Sequence, residues 1–174
     1  MKRTPIDVFE YASQILEPLP RGILLNTAAD GKMDTMTIGW GSLGEDWGKK
    51  VFTVLVRESR YTKNLIEKNP EFTLSIPVKG SDVKSIIALC GTKSGRDIDK
   101  FEACNLTVVP GHEVSTPAIA ELPLTIECKI IYKQDQDPEA IQERFKSGYY
   151  PNGDWHTAYT GEIVAAYLLE EDED

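Results

Sequence analysis

Two runs rich in apolar and β-branched residues, 22–28 and 33–40, flank the dipeptide Asp30-Gly31, and no other feature restricts the fold of this chain as much. Glycine tolerates the positive φ of a tight primed turn, so the pattern predicts a β-hairpin. A turn around residues 44–48 leads into a β-branched run at 51–56, and residues 71–78, EFTLSIPV, alternate between apolar and polar. These four segments read as an antiparallel meander, an arrangement that closes into a barrel or is covered to hide its edges. Further strand-like runs occupy 106–109, 122–132 (LPLTIECKIIY) and 160–169.

Helices are insertions in this pattern. Thr4 as cap and Pro5 at the first helical position predict an opening helix whose apolar face is Ile6, Phe9, Ala12, Ile15 and Leu16, ended by Pro18 and Pro20. Shorter helices are predicted around Leu65 and Ile66, stopped by Asn69 and Pro70, and from Ser81 through Ile86, Ile87 and Leu89 to Gly91. Two more follow at 97–104, stopped by Asn105, and at 138–145, opened by Asp137 and Pro138, with a polar loop at 92–95. The expected class is mainly β, with one domain over residues 1–174.

A formal charge of −9 argues against nucleic acid or an anionic membrane as partner, because both require clustered positive charge. The acidic residues 170–174 read as a solvated, frayed end. Cys90, Cys104 and Cys128 lack C-x-x-C spacing and the N-terminus lacks the apolar core of a signal peptide, which together predict a reduced, cytoplasmic protein. His112 and His156 are the only histidines and neither stands in a ligand spacing, so no metal site is expected.

Against that acidity, the segment Arg57-Glu58-Ser59-Arg60-Tyr61-Thr62 places two guanidinium groups and two hydroxyls where a strand passes into a helix. Free N–H groups of a first helical turn, bidentate arginines and a Ser59 cap would together hold a phosphate. The alternative is that Ser59 caps the helix and the arginines are solvated or paired with Glu58 and Glu67.

Four motifs in this order carry a resemblance. They are Asp34-Thr35-Met36-Thr37-Ile38-Gly39-Trp40-Gly41, the segment Val56–Thr62, Glu71-Phe72 with Ser75-Ile76-Pro77, and CGTKSGRDIDKF beginning at Cys90. The chain resembles the flavin reductase-like family, and within it the flavoredoxin branch, from about Pro20 to the closing strand. The resemblance implies the FMN-binding split barrel, a homodimer, and FMN held without a covalent bond. It implies that Arg57, Ser59, Arg60 and Thr62 receive the FMN phosphate, and that Thr35, Met36, Thr37 and Trp40 lie along the ribityl chain and ring. Met36, Ile38 and Trp40 also read as ordinary core of an alternating strand. Relatives commonly carry asparagine where this chain has Asp34, and a carboxylate there raises the cost of an anionic reduced flavin. Cys90, Gly91, Ser94 and Gly95 would cover another edge of the cofactor, and Lys100 would stabilise negative charge on the reduced ring.

Cys90 reads as packing or ring contact, with Cys104 expected beyond the 97–104 helix and out of disulfide reach. His156 reads either as a residue at the mouth of the site, meeting a nicotinamide, or as a satisfied histidine at the start of a strand. The expected activity is an NAD(P)H-dependent flavin reductase passing hydride to flavin N5, with NADH or NADPH as donor. The alternatives are a flavoredoxin-like electron carrier with a protein redox partner, or a barrel without a redox role.

Overall fold

Asp30 and Gly31 adopt φ of 52° and 73°, the left-handed pair that a primed turn needs. They join β2 (Ile23–Ala29) to β3 (Lys32–Ile38) in the register Ile23↔Ile38 to Ala29↔Lys32. This protein, seen as a computed structural model that describes residues 1–172, builds most of its structure on one antiparallel sheet. A second hairpin joins β4 (Gly41–Asp46) to β5 (Lys49–Arg57) through Trp47 and Gly48, both at positive φ. The remaining long strands are β6 (Glu71–Ile76), β9 (Leu124–Asp135) and β10 (His156–Glu170). Two short strands, β7 (Val108–Val109) and β8 (Ala118–Ile119), pair only with each other.

The expected four-strand meander does not form. The sheet order is β3-β2-β6-β9-β10-β5-β4, so β6 pairs with β2 and β5 with β10. A helix, α2 (Tyr61–Ile66), carries the chain from β5 across to β6, and these two consecutive strands do not pair.

The N-terminus also departs from its pattern. Lys2–Pro5 is β1, an edge strand antiparallel to the end of β10, and the helix shrinks to α1 (Ala12–Leu16). Thr4 donates to Glu170 Oε2 at 2.6 Å instead of capping a helix, and Pro5 sits at the strand end, where its missing N–H costs least. The acidic tail is correspondingly less free than expected. Glu170 closes β10 and the Asp172 carboxylate lies 2.9 Å from the N-terminal ammonium, while Glu173 and Asp174 lie outside the described residues.

Helix ends differ for local reasons. α3 (Lys84–Thr92) starts after Val83 with no side-chain cap, so Ser81 does not cap it, and it passes through Gly91. α4 (Lys100–Ala103) is capped by Asp99, whose carboxylate accepts from the amides of Phe101 and Glu102. Asn105, at φ 51°, ends it as predicted. The segment after Asp137 splits into a 3-10 turn, Pro138–Ala140, and α5 (Glu143–Tyr149).

Strand alternation sorts β2. Ile23 and Leu25 enter the main core with Phe52, Val54, Phe72, Leu74, Ile126 and Tyr159, so residues from distant strands of the path meet inside one curled sheet. Leu24 faces the other way, under α3, with Val83, Cys90, Ile119 and Leu122. Each fully buried phenylalanine or leucine contributes roughly 1.5–3 kcal/mol. No helix among the described residues is long and apolar enough to cross a membrane.

Candidate functional site

The end of β3 with Gly39 and Trp40, the turn between β5 and α2, and the segment from Cys90 to Lys100 converge on two adjoining hollows of about 120 and 170 Å3. The hollows share Met36, Thr37 and Arg60. Trp40, Arg57, Ser59, Thr62, Cys90, Gly91, Ser94, Gly95, Lys100 and His156 line one or the other. Thr35 does not. Its side chain is fully buried, and its hydroxyl donates to Asn26 Oδ1 at 2.7 Å.

In the 57–62 turn, Ser59 does not cap α2. Arg60, in extended conformation, holds the cap position without a side-chain bond. Ser59 instead donates its amide and hydroxyl to the Asp154 carboxylate at 2.8 and 2.7 Å. Arg57 donates to the carbonyls of Asp154 and Tyr149, each at 3.0 Å, and lies over the Tyr150 ring. Thr62 donates to Asp34 Oδ2 at 2.7 Å. Arg60 faces both hollows and its guanidinium has no hydrogen-bond or ion-pair partner among the described residues. It is the free cation of the turn. Arg96 and Lys93 add positive charge to the smaller hollow, Arg96 donating to the Ser59 carbonyl at 2.9 Å across the Tyr61 ring. Sequence reasoning missed this pair, although the run Lys93-Ser94-Gly95-Arg96 carried the signal.

Lys100 is only 3% exposed. Its ammonium donates to the Thr35 carbonyl at 2.6 Å and lies 3.2 Å from Asp34 Oδ1. The charge expected to meet a reduced ring is therefore already matched by a buried carboxylate. Gly95 packs directly on that carboxylate: a Cβ there would stand 2.2 Å from Asp34 Oδ1 and 2.9 Å from Tyr61, so no larger residue fits without moving the ion pair.

At the larger hollow, Trp40 contacts Tyr149 edge-on and His156 at 5.1 Å between centroids. His156 Nδ1 lies 2.7 Å from the Tyr150 hydroxyl. Burial, and then the charges of Arg57 and Arg60, push the imidazole down to about 4, so it is neutral at physiological pH. His156 begins β10, is satisfied by Tyr150, and also lines the hollow.

Cys90 is not isolated. The turn after α4 folds Cys104 back against the cluster that holds Cys90. α4 is one turn long, shorter than the helix expected at 97–104, and Cys104 follows it directly. A larger cavity of about 890 Å3 lies on the other side of α3, among Tyr11, Pro18, Pro77, Val83 and Ile87. Of the motif residues it gathers Pro77 alone, and the convergence of three motifs on the smaller hollows is the stronger argument for a site.

The family model for the flavin reductase like domain matches residues 16–174. The chain is 27% identical over 164 residues to an uncharacterized protein of Archaeoglobus fulgidus, covering 94% of this chain and 78% of that one. Among solved structures, the flavoredoxin of Desulfovibrio vulgaris (Miyazaki F) is 27% identical with a TM-score of 0.66, over 86% of this chain and 69% of that one. The FMN-binding domain of a flavin reductases-like enzyme from Shewanella baltica OS155 is 15% identical with a TM-score of 0.68, over 96% and 77%, and shows the fold alone. The fold is the FMN-binding split barrel, mainly β as expected.

Proposed function

We propose, because this chain belongs to the flavin reductase-like family, that it binds FMN in the paired hollows and passes electrons through it. The observation that carries this reading is the convergence of the Met36–Trp40, Arg57–Thr62 and Cys90–Lys100 segments on one site with Arg60 between its two halves. The residues fit the cofactor. Arg60, with Lys93 and Arg96, supplies cations for a phosphate. Met36, Gly91 and the Trp40 ring supply apolar and close-approach surface for a flat ring.

FMN, when bound, supplies hydride chemistry at N5, and we assign NADH or NADPH as the donor. The protein then has no proton to move. Trp40, Tyr149 and His156 would orient the donor, neutral His156 offering a hydrogen bond without adding charge. The second reading, a carrier that exchanges electrons with a protein partner, is favoured by the 27% identity to a flavoredoxin.

Homodimer formation belongs to the same proposal, supported by the exposed Trp47, Ile131 and Tyr132, with Trp47 and Tyr132 in edge contact at 6.0 Å. The test is titration of the apoprotein with FMN, followed by NADH or NADPH without oxygen. Bleaching by either nicotinamide supports the reductase, and a bound flavin that neither bleaches supports the carrier. Failure to bind FMN refutes both. Light scattering at about 19 kDa with FMN bound would refute the dimer.

A further inference from the structure

The cavity of about 890 Å3 lies between α1, the segment after β6 and α3, and its volume falls within the range of about 300–1,000 Å3 typical of small-molecule sites. Its wall is aliphatic: Pro18, Pro77, Val83, Ile87, Leu124 and Leu168 line it, and Pro18, Val83 and Leu124 are buried. Tyr11 is the single aromatic residue on the lining, so a flat aromatic ligand finds no stacking platform there.

The charges on this lining are unbalanced. Arg21 lies 3.7 Å from Glu17, the one carboxylate there. Lys79 and Lys84 are exposed, and their ammoniums have no hydrogen-bond or ion-pair partner among the described residues. In a chain of net charge −9, two uncompensated cations beside an aliphatic wall select an amphipathic anion. The cavity is separate from the paired hollows. Gly22, at φ 116°, lets Ile87 and Thr37 approach so closely that a Cβ there would stand 2.6 and 2.8 Å from their methyl groups. The Thr37 hydroxyl also donates to the Ile87 carbonyl at 2.7 Å. Ile87 lines the cavity and Thr37 the hollows, so this contact closes the wall between them.

We propose that this cavity binds a medium-chain aliphatic carboxylate, whose chain covers the apolar wall and whose carboxylate is met by Lys79 and Lys84. The chain leaves water against Val83, Ile87 and Leu124, and this transfer supplies most of the affinity. The two ammoniums, exposed to solvent, each add roughly a two- to fivefold preference for the acid over the neutral alcohol of the same length. Salt screens that preference and leaves the contribution of the chain in place. None of this rests on FMN.

Calorimetric titration of the native protein with decanoate and with decanol, at low and at high salt, tests this. Decanoate should bind with one-to-one stoichiometry and a negative heat-capacity change, more tightly than decanol at low salt and about equally at high salt. Lys79→Ala combined with Lys84→Ala should bring decanoate down to the affinity of decanol and leave decanol unchanged; both lysines are exposed, so the fold does not depend on them. Ala88→Phe, at an exposed position of α3 on the lining, should weaken both ligands. Absence of decanoate binding, equal affinity for the two ligands at low salt, or decanoate affinity unchanged in the double lysine variant would overturn the proposal. Decanoate that binds only by dissociating a dimer, seen by light scattering, would assign the cavity to a second copy of the chain and overturn it as well. The wild-type comparison of acid and alcohol decides even if a variant fails to fold.

Discussion

The Asp154 carboxylate holds both the amide and the hydroxyl of Ser59, at 2.8 and 2.7 Å, from a left-handed backbone at φ 61°. A protein carboxylate therefore occupies the donors that the turn offers to an anion, and a phosphate is left to Arg60 and the cations beyond it. Partial burial raises the Asp154 carboxyl, but the two Ser59 bonds and the charges of Arg57 and Arg60 outweigh it and hold the group below its ordinary value. A group so depressed stabilises the fold above its unfolded pKa, and that stability is lost as pH falls through the folded value. Asp154→Asn should cost about 1 kcal/mol near neutrality and flatten the acid limb of a melting curve below pH about 4. An acid limb identical to wild type would show that this bond does not couple to folding.

Arg57 and Arg60 should separate in their effects. Arg57 ties the end of α5 and the segment after it to β5 through the carbonyls of Tyr149 and Asp154, whereas Arg60 has no such duty. Arg60→Ala should weaken FMN about 10- to 100-fold, the loss of one charge-assisted contact, and leave riboflavin affinity and melting temperature unchanged. Arg57→Ala should lower the melting temperature as well. Equal losses for FMN and riboflavin in Arg60→Ala would place the phosphate elsewhere.

The Asp34–Lys100 pair predicts an asymmetry. Lys100→Met leaves a buried carboxylate with only the Thr62 hydroxyl and should destabilise by about 3–5 kcal/mol. Adding Asp34→Asn should recover a large part of that loss, because the remaining amide carries no charge. Denaturant unfolding of the two variants measures this, and a double variant no more stable than Lys100→Met would mean that the pair acts through packing alone.

What was legible in the sequence was local or lay in a motif. The Asp30-Gly31 hairpin followed from turn chemistry, and the residues expected to touch the cofactor, other than Thr35, do line the hollows. What was illegible depends on partners distant in sequence. Ser59 looked like a cap because nothing nearby showed that Asp154 would bind it. Thr4 and Pro5 carry a helix-start signal that pairing with the far end of β10 overrides. Lys100 looked free until Asp34, brought in by β3, met it. Cys104 looked remote because a helix predicted at 97–104 proved to be a single turn.

His156 should report the state of the larger hollow by its titration. Burial first, then Arg57 and Arg60, lower its folded pKa from 6.5 to about 4, with Asp154 opposing. In the unfolded chain the imidazole takes its proton near 6.5, so between those values the unfolded state binds more protons than the folded one. Stability is thus greatest above about 6.5 and declines as pH falls toward 4, and below that this group adds no further loss. Melting temperatures measured from pH 7.5 to 4 should show this decline, and His156→Gln should remove part of it while keeping a polar partner for Tyr150. Proton NMR of the imidazole should find a midpoint near 4 in the apoprotein. A midpoint near 6.5 would mean that the ring is solvated and that Trp40, Tyr149 and Tyr150 do not enclose it in solution.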